Sequence, residues 1–386
     1  MTDFNLYDPK KVLNHPDFKI VPQGERPNQD ANISICYNEK QELHLVEKPR
    51  LDLAPGQVEV HIKATGICGS DVHFWKHGKV VDSIVLDSLC GAGHESAGIV
   101  SRIGEGLEIF DSAGVTEWKV GDRVAVEAGI PCQTCEYCRI GRYNGCQKCV
   151  FFSSPPHHGT MTRYHVHPAK WLHHLPDNVS FEEGALIEPL NVALAGIERS
   201  GLRLGDPVLI AGAGPIGLVT LLAAKAAGAE PLVITDLSET RLNLAKKLVP
   251  SVRTVLIEKS DKPRDVAKRI QEVASVNVRL ALECTGFESS IHSAVFSMGF
   301  AGTVLVIGNG KDMQTVPFMH LAANEINLNY MFRYANQYKR AIRLVAGGLI
   351  DLKPLCTHKF KLEDGIAGFH VASDPKTGAI KVQIVD

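Results

Sequence analysis

The chain has 386 residues, 45% of them apolar and 22% charged, and its 41 Lys and Arg balance 43 Asp and Glu to a net charge of −2. That is length for about two domains with cores of their own. The even charge argues against a nucleic-acid-binding or membrane-surface protein, and no apolar run reaches the roughly 20 residues of a membrane-spanning helix.

Residues 1–30 read as a polar N-terminal extension. MTDFNLYDPKKVLNHPDF lacks the apolar centre of a secretory signal, and no arginine precedes Arg26, unlike a mitochondrial presequence. The final KVQIVD carries no peroxisomal address. Cytoplasm is the expected location. From about residue 31, short β-rich runs such as QVEVHIKA, SAGIVSRIG and DRVAVEAG alternate with Gly- and Pro-rich turns. They predict a twisted, partly closed antiparallel domain.

Two stretches of this domain concentrate polar chemistry. GICGSDVHFW at 66–75 holds Cys68, Ser70, Asp71 and His73, and GAGHESAG at 91–98 holds His94 and Glu95. Farther on, PCQTCEYCRIGRYNGC spaces Cys132, Cys135, Cys138 and Cys146 as C-x2-C-x2-C-x7-C. Five of the ten cysteines fall within 132–149. A cluster that tight in a reducing compartment suits a metal better than disulfides. Four thiolates can enclose one Zn2+ with no place left for substrate, which makes the site structural. Cys149 is an alternative fourth ligand, and a redox C-x-x-C is the competing reading.

EEGALIEPLNVALAGIERSG at 182–201 has helical apolar spacing and carries Glu188. The rhythm then changes. PVLIAGA, PLVITD, TVLIE, LALECTG and GTVLVIG read as strands, separated by helices such as GPIGLVTLLAAKAAG and SETRLNLAKKL. Alternation of this kind predicts a doubly wound parallel sheet. GAGPIG places Gly212, Gly214 and Gly217 between a strand and a helix. The glycines suit a tight turn, a pyrophosphate lying on the backbone, and close helix packing. Asp236 ends the next strand, where a carboxylate accepts from both ribose hydroxyls and repels a 2′-phosphate; this favours NAD over NADP. The competing reading is a helix cap before Ser238. Arg241 stands one turn into that helix. The terminal VQIV is expected to rejoin the first domain. The expected layout is an extension at 1–30, a catalytic domain from 31–188 and 333–386, and a nucleotide domain at 189–332. A mixed set of Cys68, His94 and a carboxylate suits zinc with one position open.

With GHE-x2-G-x5-G at 93–104, the four-cysteine loop and GAGPIG in that order, the chain resembles the zinc-dependent medium-chain dehydrogenase/reductases from about 32 to 386. GICGSDVHFWKHG, EPLNVALAG, LECTG and SDPKTGAIKVQI resemble its polyol dehydrogenase branch of sorbitol, xylitol and L-arabinitol 4-dehydrogenases. The resemblance implies an α/β fold, with a GroES-like partly closed β catalytic domain beside a Rossmann domain. It implies NAD, one catalytic and one structural zinc, and oxidation of a secondary hydroxyl of a sugar alcohol to a ketose. L-arabinitol, sorbitol, xylitol and galactitol are the candidate substrates. The alternatives are a simple-alcohol or L-threonine dehydrogenase, or a noncatalytic nucleotide-binding protein.

Carried over residue by residue, Cys68, His94 and Glu95 match catalytic zinc ligands. Glu188 matches a second carboxylate at that metal, and the two can exchange roles. Asp71 is expected to accept the other ring N–H of His94; the competing reading is a turn-capping aspartate. Ser70 and His73 would relay the substrate proton. Pro215, Ile216, Cys284, Thr285 and Ile307 complete the expected NAD contacts, and Ser70, Phe74, Phe332 and Arg333 the polyol contacts. For Phe74 and Phe332 the competing reading is a core aromatic, and for Arg333 a surface arginine. VVDSIVLDSLCGA and LEIFDSAGVTEW depart from the arabinitol enzymes. A homotetramer or dimer is implied, with GTVLVIGNG as the edge strand that joins subunits.

Overall fold

A computed structural model describes residues 8–81, 84–105, 109–111, 114–116 and 118–386. The first seven residues of the expected extension lie outside these, as do parts of the two departing stretches. The chain forms two compact units, Met1–Glu188 with Cys356–Asp386, and Pro189–Leu355.

In the first unit the strand Gln57–Gly66 is central. Its residues Val58, Val60, Ile62 and Ala64 are buried, as the alternation of VEVHIKA predicts. Glu95–Ile103 and Tyr164–Pro168 pair with it antiparallel, and so does Lys381–Val385. The C-terminal strand thus rejoins the first unit as expected, lying parallel to Cys356–Lys361. A second sheet takes Lys19–Ile20, Leu43–Lys48, Asn32–Tyr37 and Cys90–Gly91 in that order. One apolar core gathers Ile33, Ile35, Tyr37, Phe74, Trp75, Phe369 and Ile384. The other side of the central strand buries Glu59, a cost offset by ion pairs to Arg50 and Arg102.

The second unit is a six-stranded parallel sheet. Its order is Arg253–Leu256, Leu232–Asp236, Val208–Ala211, Val278–Glu283, Met298–Val306, Asn327–Tyr330. Numbered along the chain this is 3-2-1-4-5-6, the doubly wound order whose ligand crevice opens where the winding reverses. That switch lies between Val208–Ala211 and Val278–Glu283, so Gly212 and Cys284 each leave the sheet on the crevice side.

Three expectations need adjustment. The 182–201 segment is two helices, Phe181–Ala185 and Ile187–Ser200. Pro189 lies in the first turn of the second, where its missing N–H costs nothing. The second unit runs past residue 332 to Leu355, because the helix Tyr338–Ala346 buries Tyr338, Ala341, Ile342 and Val345 within it. Arg340 and Gln337 there bond Glu198. Finally, the GTVLVIG strand is interior to the sheet, and Asn327–Tyr330 forms the edge.

Candidate active site

Register explains how distant residues meet. The antiparallel pairing of Gln57–Gly66 with Glu95–Ile103 ends at Gly66 opposite Glu95. Cys68, two residues past Gly66, therefore stands beside His94 and Glu95. One ligand atom from each of the three lies within 4.8 Å of the others. Cys68 precedes the helix Gly69–His77, and Asp71 on its first turn accepts the Cys68 N–H at 3.0 Å. A Cβ on Gly66 would meet Glu95 Oε2 at 2.1 Å, so glycine is what leaves room for the carboxylate.

His94 and Glu95 are buried, and Cys68 is half-buried. Burial alone would lower the His94 pKa, but Asp71, Cys68 and Glu188 outweigh it and push the value up to about 10. The pocket is therefore rich in negative charge and attracts a cation. A sulfur, an imidazole and a carboxylate with one position left over suit zinc.

The expected Asp71 partner needs correction. Asp71 Oδ1 lies 3.7 Å from His94 Nδ1, and its oxygens accept from the Cys68 and Gly93 N–H groups instead. The short contact on Nδ1 is Ser153 Oγ, at 2.7 Å. Lys381 is a second residue that the sequence reading did not single out. Its Nζ donates to both Glu95 oxygens at 2.8 Å and to the Ile67 carbonyl at 3.3 Å. The pair is buried, at 3% and 1% exposure. Burial would lower the lysine pKa, yet Glu95 and Cys68 outweigh it and raise it, so Lys381 stays a cation.

Cys132, Cys135, Cys138 and Cys146 also bring their sulfurs within 4.8 Å of one another. The Cys132–Cys138 and Cys135–Cys138 separations are 3.9 and 3.4 Å, and all four cysteines are free thiols. Tetrahedral zinc–sulfur bonds of about 2.3 Å place sulfurs roughly 3.8 Å apart, so the donor set fits. Backbone N–H groups of Cys132 and Cys135 point at sulfur. Cys149 is not in the group; its N–H donates to the Cys146 carbonyl.

In the second unit the three glycines of GAGPIG meet three different demands. Gly212 has φ +97, and a Cβ there would strike Thr285 at 2.5 Å. A Cβ on Gly217 would lie 1.8 Å from the Gly212 carbonyl oxygen. Around Gly214 the nearest such neighbour is Arg241 Nη1 at 3.9 Å, so its surface is open. No side chain caps the helix Pro215–Ala226, which leaves an N-terminus suited to a phosphate. Asp236 accepts from the Ala213 N–H at 2.7 Å and the Ser238 N–H at 2.8 Å, tying the glycine loop to the next strand. Glu283 was not anticipated. Fully buried, it accepts from Thr285 N, Thr285 Oγ1, Gly286 N and Ser290 Oγ, and so shapes the Cys284–Thr285 turn.

Residues 54–177 match the family model of the alcohol dehydrogenase GroES-like domain, and residues 215–347 that of zinc-binding dehydrogenases. L-arabinitol 4-dehydrogenase of Aspergillus oryzae is 51% identical over 92% of this chain and 95% of its own. The chain belongs to the zinc-binding dehydrogenase family. Mus musculus sorbitol dehydrogenase, another member, is 39% identical, with 93% and 97% covered. The crystal structure of L-idonate 5-dehydrogenase from Escherichia coli superposes with a TM-score of 0.81 at 29% identity, covering 96% of this chain and all of that one.

The remaining family-matched residues fall as follows. Glu188 is buried at the start of Ile187–Ser200, close enough to bias His94 and Lys381 by its charge, but outside the three-residue ligand group. Ser70 is half-buried on the first turn of Gly69–His77, with His73 exposed on the next and its ring 4.6 Å from that of His77. Phe74 is in the core, stacked on Tyr37 at 5.6 Å. Phe332 is exposed and Arg333 lies over its ring at 4.7 Å, with an unusual φ of +50. Pro215 and Ile216 begin the helix after Gly214, and Ile307 follows Met298–Val306.

Proposed function

We propose that the protein oxidises a secondary hydroxyl of a sugar alcohol to a ketose and passes the hydride to NAD. The carrying observation is the Cys68, His94 and Glu95 group, its histidine and carboxylate buried, in a chain 51% identical to an L-arabinitol 4-dehydrogenase. That identity makes L-arabinitol the leading substrate, ahead of sorbitol, xylitol and galactitol.

Cys68, His94 and Glu95 are the residues that would hold the catalytic zinc. When bound, zinc supplies Lewis acidity toward the substrate hydroxyl, and NAD supplies the hydride acceptor. Glu188 orients water or hydroxyl beside the cluster. Ser70 takes the hydroxyl proton, and His73, one turn along the same helix and exposed, hands it to solvent. Arg333 and Phe332 meet the outer hydroxyls and carbon chain of the polyol. Cys132, Cys135, Cys138 and Cys146 would hold the second zinc and fix their loop. Gly212, Gly214, Pro215, Ile216 and Gly217 cradle the pyrophosphate, Asp236 and Arg241 the adenosine ribose, and Cys284, Thr285 and Ile307 the nicotinamide half.

The same reading gives a homo-oligomer, a tetramer or a dimer, in the cytoplasm. Asn327–Tyr330 is an edge strand with Tyr330 exposed, which suits pairing with a second copy. Ten free cysteines suit a reducing compartment. Among the described residues no helix is long and apolar enough to cross a membrane.

The test is NADH absorbance with sorbitol, xylitol, L-arabinitol and galactitol, with and without chelator. Polyol-dependent NADH that the chelator abolishes is expected. Turnover restricted to simple alcohols or L-threonine would refute the substrate class.

A further inference from the structure

We infer that Ser153 is a positioning residue for the catalytic metal, selecting which nitrogen of His94 faces the ligand group. The inference rests on the reading of Cys68, His94 and Glu95 as a zinc site. A histidine can give a metal only a nitrogen that carries no proton, so the proton must sit on the other nitrogen, and a hydrogen-bond acceptor there fixes it. Ser153 Oγ lies 2.7 Å from His94 Nδ1, which leaves Nε2 as the nitrogen available to the ligand group. Asp71, the carboxylate nearest that nitrogen, stands at 3.7 Å and already accepts two backbone N–H groups. Ser153 therefore receives the Nδ1 proton, and Nε2 is left unprotonated for the metal.

Two further features indicate that the serine is held for this purpose. Ser153 is 2% exposed and sits at φ +67, a conformation that side chains other than glycine rarely adopt. Its carbonyl accepts the Tyr37 hydroxyl at 2.8 Å, and Tyr37 in turn stacks on Phe74 at 5.6 Å. Phe74 belongs to the Cys68 helix, so the chain Phe74–Tyr37–Ser153–His94 returns to the ligand group.

The experiment is zinc content per chain at equilibrium with buffered free zinc, for the wild type, Ser153→Ala and Ser153→Gly. Both variants lack the hydroxyl, and glycine also relieves the backbone. The wild type is expected to hold two zinc ions. Both variants are expected to keep the four-cysteine zinc, which serves as the folding control, and to bind the other about 10- to 100-fold more weakly. The His94 Nδ1–H signal in 15N NMR of the zinc-loaded protein should be protected in the wild type and lost to solvent exchange in the variants. Wild-type affinity in both variants overturns the inference. So does recovery in Ser153→Gly alone, which would assign the effect to the backbone. A wild-type chain that takes up only one zinc overturns the zinc-site reading itself, and the inference with it.

Discussion

The two metal centres contrast in how the chain builds them. The four-cysteine loop draws its ligands from residues 132–146, and backbone N–H groups of the same loop reach the sulfurs. The Cys68 group is assembled from a helix start, a strand start, a turn at Ser153 and the C-terminal strand with Lys381. It also holds a lysine that already neutralises one of its carboxylates. The first centre depends on local spacing, while the second depends on the register of a whole sheet. A local site is expected to bind tightly and fold with its loop. An assembled site is expected to exchange its metal more readily and to fail when a distant strand shifts.

The largest effect should come from the local centre. Cys135→Ser is expected to remove one zinc per chain and unravel its loop, since structural zinc contributes about 10–16 kcal/mol in small zinc domains. Metal analysis with limited proteolysis checks this, and retention of both metals would contradict it. The next effect separates the two centres. Lys381→Met leaves the Glu95 carboxylate buried without its cation, at a cost of about 3–5 kcal/mol. Urea unfolding should show that loss in zinc-stripped protein and a smaller one in the loaded protein, where metal replaces the lysine charge. Equal losses would mean that Lys381 and the metal do not share Glu95.

Holding the C-terminal strand is a further requirement of the assembled centre. Asp386 follows that strand and accepts from Arg163 and His61. Burial would raise the Asp386 pKa, but His61 and Arg163 outweigh it and hold it down at about 2, below the usual 3.8. A depressed carboxylate contributes stability that is complete above about pH 4 and is lost as pH falls toward 2. Arg163→Ala is expected to cost about 2 kcal/mol at neutral pH and to flatten the stability-versus-pH curve between pH 4 and 2. An unchanged acid slope would show that the Asp386–Arg163 pair does not hold the C-terminal strand. The smallest effect on the fold is Asp236→Ser with Leu237→Arg. It should leave the zinc content unchanged and cost about 1 kcal/mol of stability through the lost bonds from the Ala213 and Ser238 N–H groups, while raising the NADP-to-NAD ratio of kcat/KM about tenfold. A wild type that already prefers NADP would contradict this.

These differences also explain what the sequence made legible. The four cysteines and GAGPIG are short-range patterns, and spacing alone conveys their chemistry. The strand–helix alternation after Val208 was equally plain, because parallel strands buried on both faces read as continuous apolar runs. Lys381 was hidden because KVQIV reads as an ordinary alternating strand. Its polar face turns out to be as buried as its apolar one, and only the pairing with Gln57–Gly66 shows what it faces. Ser153 lay in an unremarkable turn 59 residues from His94. Asp71 misled because its proximity to the site was real, while the helix start and Gly93 had claimed its oxygens. The end of the second unit slipped from 332 to 355 because an amphipathic helix shows that it covers something, without showing which core.

The most direct test of the central claim is NADH formation from L-arabinitol and NAD by protein depleted of its exchangeable zinc, before and after zinc is restored. No turnover is expected in the depleted protein, with the four-cysteine zinc still bound, and recovery is expected when one equivalent of Zn2+ is returned. Full turnover without that metal would contradict it, as would failure of the restored, folded protein to oxidise any sugar alcohol.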